Sequence, residues 1–162
     1  MRRLVALLAW FALAPVPAPA QGFDGAGLSD RQTTLVTEVL AEGLASCGEL
    51  DIAYRFDCFR ETTRAAARRV SSNAAYWEVE IALTRISRNL GQWVQDFRDP
   101  DAASIRHDGA RRTAVSASAI PSLTAATRRL IEDAAGNIRR ASGREGTYFE
   151  PIADLIEGQT LF

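Results

Sequence analysis

The chain has no lysine, one histidine and two cysteines, and each shortage removes a class of chemistry. Without lysine there is no Schiff base, no P-loop lysine and no Ser-Lys dyad. All 19 basic side chains are arginine. His107 is the only histidine, so a base tuned near neutrality has to be this one residue, flanked by Arg106 and Asp108 in a loop. C-x-x-C-H is absent, which excludes covalent haem. Noncovalent haem would be left with His107 or a tyrosine such as Tyr148 as axial ligand. Glu-x-x-His is absent too, so the donor set of a di-metal bundle is missing, and Glu78 and Glu80 are expected to face water or arginine. Asp99-Pro100-Asp101 opens like a calcium loop, yet Ala103 stands at the next ligand position, Ser104 replaces the turning glycine and Ala110 the closing glutamate. No metal and no cofactor is expected. Segments with a convincing strand period are also lacking.

What is present begins with an address. Arg2 and Arg3 precede an unbroken apolar run from Leu4 to Leu13, and Ala18-Pro19-Ala20 supplies an A-x-A cleavage site. Residues 1–20 therefore read as a cleaved signal peptide. A membrane anchor needs about 20 apolar residues, and Pro15, Pro17 and Pro19 end this run sooner. Removing 20 of the 162 residues leaves 142, residues 21–162, enough for a single helical bundle domain with its own core. Without Arg2 and Arg3, 17 basic residues face 20 acidic ones, a net charge of −3. That balance gives no electrostatic reason to expect nucleic acid as partner. A periplasmic or secreted location is expected, with no transmembrane segment in the mature chain.

Export changes the meaning of Cys47 and Cys58, because an even cysteine count outside the cytosol reads as a disulfide. Residues eleven apart on one helix lie about 16 Å apart, whereas bonded cysteines need Cα atoms within about 7 Å. The chain must turn between them. Gly48 is placed for a left-handed helix cap and Asp51 for the cap of the next helix, which predicts a corner at residues 48–51. A redox-active pair would want C-x-x-C spacing.

Helical periodicity accounts for most of the remaining chain. Tyr76, Val79, Leu83, Ile86, Leu90, Trp93 and Phe97 form one apolar seam, and Ile52, Phe56, Phe59, Thr63, Ala66 and Val70 form another, with Arg60, Arg64 and Arg68 on its solvated side. Leu35, Val36, Val39, Leu40 and Leu44 give an earlier helix, opened by Ser29 with Gln32 as a capping box. Ile120, Leu123, Thr127, Leu130, Ala134, Ile138 and Ala141 give a later one, which Pro121 either kinks or starts. Ser71, Ser72 and Asn73 form a polar joint that makes the second and third helices antiparallel neighbours; one long helix over 52–98 is the competing reading. A loop runs from Asp99-Pro100 to about Arg112. Gly143 and Gly146 interrupt the chain, and Pro151 begins a closing helix over Ile152–Glu157. The expected fold is all-α, a four-helix up-and-down bundle with a short C-terminal helix and one disulfide.

Two features are candidates for recognition. Tyr54 and Trp77 fall off the strict seams and are placed, with Arg64 and Arg68, on a contact surface. The pairs Arg68-Arg69, Arg111-Arg112, Arg128-Arg129 and Arg139-Arg140 carry the fork that suits phosphates or carboxylates. Neighbours on a helix diverge by about 100 degrees, however, and a solvated face is the ordinary reading. Ser104, His107 and Asp108 assemble a triad on paper, with nothing to announce an oxyanion site. The expectation is a noncatalytic interaction or accessory module that meets an envelope protein and displays an exposed apolar patch. The alternative is a small-molecule-binding or sensory bundle with a pocket near Tyr54, Trp77 and the corner. An enzyme ranks third.

Overall fold

Helix 1 (α1, Asp30–Gly48) starts where the Ser29 side chain accepts the Gln32 backbone N–H at 3.2 Å. The computed structural model describes residues 27–140 and 145–162; the expected signal peptide, Gly143 and the Ala141 end of the fourth seam lie outside them. Only half of the expected capping box forms, because the Gln32 amide donates to the Arg69 carbonyl at 2.6 Å instead. It thereby ties the start of α1 to the end of α2 (Ile52–Val70). Cys47 and Cys58 are bonded, with Cα atoms 5.6 Å apart, and Asp51 caps α2 by accepting the Ala53 N–H at 2.9 Å. The left-handed cap expected at Gly48 is not used. Gly48 closes the helix, Glu49 stays right-handed at φ −73°, and the N–H groups of Glu49 and Leu50 bond back to Ser46 and Cys47 at 3.2 Å each.

The joint at 71–73 is a true break. Asn73 is buried; its Oδ1 accepts the Ala75 N–H at 3.1 Å and its Nδ2 donates to the Gly27 carbonyl at 3.0 Å. A short 3-10 turn, Ala74–Tyr76, then leads into α3 (Trp77–Asp96). The buried Tyr76 hydroxyl donates to the Ser29 carbonyl at 2.8 Å and lies 2.8 Å from Thr33 Oγ1, fastening this joint to α1.

The segment expected as loop contains a hairpin. β1 (Ile105–His107) and β2 (Ala110–Arg112) pair antiparallel, with Ile105 opposite Arg112, Arg106 opposite Arg111 and His107 opposite Ala110. Asp108 at φ 48° and Gly109 at φ 71° make the two-residue turn, the left-handed pair that matches strand twist. Asp99 Oδ1 accepts the N–H groups of Asp101 and Ala102, a local turn in place of a cation ligand.

Helix α4 (Ile120–Arg139) begins with Pro121 in its first turn, so this proline starts the helix. Helix α5 (Glu145–Glu157) corrects the expected closing element: it starts well before Ile152, and both Gly146 and Pro151 lie inside it. An internal proline forfeits a bond to the residue four before it. Here Pro151 and Thr147 are both exposed, while Phe149, Ile152, Ala153 and Ile156 are buried, so burial of the opposite face outweighs the loss.

α2 packs on α1 and α3, α4 on α3 and α5, and α5 on α1. The result is an all-α, four-helix up-and-down bundle whose short C-terminal helix closes the gap between α4 and α1. Val36, Leu40, Phe56, Phe59, Leu83 and Ile138 fill its centre. Leu35, expected in the first seam, is exposed instead. Gly43 sets the closest approach of α1 to α2, since a methyl there would overlap the buried Thr62 side chain.

Candidate functional site

Antiparallel packing of α2 and α3 decides where the candidate contact residues go. Tyr54 lies at the disulfide end and Trp77 at the opposite end, about 20 Å along the bundle. The Tyr54 ring packs against the core and its hydroxyl donates to the Ala103 carbonyl at 2.8 Å, so its polar end holds the loop after α3. Trp77 has no such employment. It is 54% exposed, and Ile81, one turn later, is 52% exposed.

Trp77, Ile81, Arg85 and Arg88 follow at spacings of 4, 4 and 3, which stacks them in one stripe along α3. They line a shallow groove of about 510 Å³ together with Glu80 and Thr84. A second groove, of about 170 Å³, runs between α3 and the end of α2, edged by Arg64, Arg68, Glu80 and Arg88. Glu80, Thr84 and Arg88 belong to both grooves. The surface thus brings Arg64, Arg68 and Trp77 together and leaves Tyr54 out. Arg64 pairs with Glu61; Arg68, Arg85 and Arg88 enter no ion pair among the described residues. The patch is a basic surface with an apolar head, on an otherwise acidic chain.

The disulfide end is built differently. Ser46, on the last turn of α1, meets His107 and Asp108 of the hairpin; Ser104 of the paper triad does not take part. His107 Nε2 lies 2.6 Å from Ser46 Oγ and 3.1 Å from the Ser46 carbonyl, and Ser46 Oγ donates to Asp108 Oδ2. The hydroxyl has one proton to give. Given to Asp108, it obliges His107 Nε2 to carry a proton and donate, so the imidazole cannot act as base toward Ser46. Asp108 also approaches Nε2, at 3.6 Å, instead of orienting the ring from Nδ1 as a nucleophile triad requires. The helix end supplies carbonyls and the negative pole of its dipole, the wrong sign for an oxyanion. The cluster is a clamp that caps α1 from the hairpin.

Asp57, inside α2 and 2% exposed, completes the fastening. Its Oδ1 accepts Arg60 Nε–H at 2.7 Å and its Oδ2 the Thr113 N–H at 2.8 Å, and the Val115 N–H bonds the Ala53 carbonyl at 3.0 Å. The signal for Asp57 in the sequence is a carboxylate set among Phe56, Cys58 and Phe59 on a helix. The Ser46–His107 meeting spans 61 residues and leaves no local signal.

Of the eight paired arginines, Arg128 and Arg139 are spent on docking. Arg139 bonds Glu157 and Asp154 of α5 at 2.6 Å each, hydrogen bonds that push its guanidinium far above the ordinary range, Glu157 contributing most. Arg128 donates to the Phe162 carbonyl. A cleft of about 620 Å³ opens beside the corner, between α1, α5 and residues 158–161. Neither Tyr54 nor Trp77 lines it. Its Arg55 already donates to the carbonyls of Leu50, Leu161 and Gly48. Among the described residues, no group of His, Cys, Asp and Glu is arranged to hold a metal ion, and no helix is long and apolar enough to cross a membrane. No known protein family, curated protein or solved structure matches this chain.

Proposed function

We propose that the protein is an exported, noncatalytic helical-bundle module of the cell envelope that recognises an acidic, amphipathic segment of an envelope protein through the α3 stripe. The observation that carries this reading is Trp77 and Ile81, more than half exposed one helical turn apart, leading into Arg85 and Arg88, which enter no ion pair among the described residues. Large aromatic and arginine side chains are the groups that dominate protein interfaces. Scattered exposed apolar residues need no explanation, but here two adjoin a basic groove on a chain of net negative charge. Charge complementarity selects a partner that brings carboxylates to Arg68, Arg85 and Arg88 and apolar side chains to Trp77. The leader-like residues 1–20 and the Cys47–Cys58 bond support export.

The test is a photo-crosslinking amino acid at position 81 in cells that express the full chain, with position 129 on α4 as control. The expected product is one envelope protein, joined through a segment rich in Asp or Glu and apolar residues. Equal products from both positions, or a contact segment that is basic, would sink the proposal. A small-molecule reading would look to the cleft beside the corner; its Arg55, Asp154 and Gln159 side chains already bond within the protein, which favours the α3 surface.

A further inference from the structure

Among the described residues, Arg112 is the one charged group whose burial the bundle does not explain. It is 5% exposed, yet Nε and Nη1 are buried without a hydrogen-bond partner, and no ion pair among the described residues includes it. A guanidinium does not deprotonate at any pH the protein meets, so it cannot escape the cost of burial by becoming neutral. The other unpartnered buried atoms among the described residues are the hydroxyls of Thr124 and Thr127, neutral groups that a single water satisfies. Arg112 requires charge as well.

Its hairpin is fastened at both ends. Arg112 shares the inward face of the hairpin with Ile105 and His107; the clamp on Ser46 fixes one end, and the Thr113 N–H on Asp57 fixes the other. Asp57, the buried carboxylate of this region, is committed to Arg60 and Thr113. The outward face repeats the imbalance. Arg106 and Arg111 stand directly opposite each other across the ladder, a like-charged pair that costs stability unless something negative lies between. Neither enters an ion pair among the described residues. Three arginines on two three-residue strands thus go unbalanced among the described residues on both faces, one with Nε and Nη1 buried and unbonded.

We propose that the hairpin is an oxyanion receptor, in which Arg112 binds a phosphate or sulfate group and Arg106 and Arg111 supply attracting charge. A tetrahedral oxyanion fits because it accepts several N–H bonds at once and brings the missing negative charge. The site is separate from the α3 stripe, and its test does not depend on that reading.

Inorganic phosphate and sulfate are titrated into the disulfide-intact protein at constant ionic strength, with acetate and chloride as controls, following the unfolding temperature. Saturable stabilisation of the native protein is expected, about 4 °C at ten times the dissociation constant. Arg112→Met should unfold at or above the wild-type temperature without ligand and lose the phosphate response. Arg106→Gln with Arg111→Gln should keep the response at several-fold weaker affinity. Should Arg112→Met not fold, the Arg112 Nε–H resonance of the wild-type protein is followed instead, and phosphate should shift it saturably. Equal responses to phosphate and chloride, a phosphate response that survives Arg112→Met, or an unmoved Nε–H resonance each overturn the proposal.

Discussion

The two ends of the α2–α3 pair carry similar side chains and treat them in opposite ways. At the disulfide end, Tyr54, Asp57, Arg60 and His107 all have partners inside the protein. At the far end, Trp77, Ile81, Arg68, Arg85 and Arg88 have exposure and no ion pair among the described residues. An off-seam aromatic is therefore not by itself a contact residue. Tyr54 has a hydroxyl that a loop carbonyl can use, and the neighbouring loop uses it; Trp77 begins its helix more than half exposed. At the disulfide end these side chains are spent on the fold; at the far end Asn73 and Tyr76 do that work, and the stripe beside them remains available.

That contrast breaks if the disulfide end turns out to be dispensable. Asp57→Ala removes the acceptor of both Arg60 and the Thr113 N–H and should cost about 3 to 4 kcal/mol in urea unfolding; a loss below about 1 kcal/mol would show that the hairpin is fastened elsewhere. Replacing Cys47 and Cys58 together by alanine should cost about 3 kcal/mol in the chain-entropy account of a short loop, measured the same way. His107→Ala should cost about 1 kcal/mol, the worth of a hydrogen bond at a helix carboxyl end, and should speed amide exchange in β1 and β2. Unchanged exchange there would remove the clamp from the account.

Legibility in the sequence follows the same division. The seams of α2, α3 and α4 were readable because burial repeats every three or four residues, and Phe56, Phe59, Leu83, Ile86 and Leu130 are buried as that repeat requires; Phe97, expected to close the α3 seam, lies just past the helix and is exposed. The corner was readable through export and covalent reach. The hairpin announced itself only by Asp108-Gly109, since three-residue strands are too short to show alternation. Gly146 and Pro151 looked like breakers, and the buried face of Phe149, Ile152 and Ile156 overrode them. At the proposed surface, the helix positions of Trp77, Arg64 and Arg68 account for their sharing one face. The buried Asp57 shows only as a carboxylate among Phe56, Cys58 and Phe59, whereas Ile81 and the inward turn of Arg112 depend on which neighbours happen to cover each residue. No local pattern encodes that.

Recognition, and not stability, is the role proposed for the exposed end. Its most direct test repeats the position-81 crosslink in a Trp77→Ser background, with urea unfolding of the same variant as the measure of its fold. Stability should stay within about 0.5 kcal/mol of wild type, because Trp77 is mostly solvated, while the crosslink yield should fall at least tenfold. An undiminished crosslink from a stably folded Trp77→Ser protein would contradict the account.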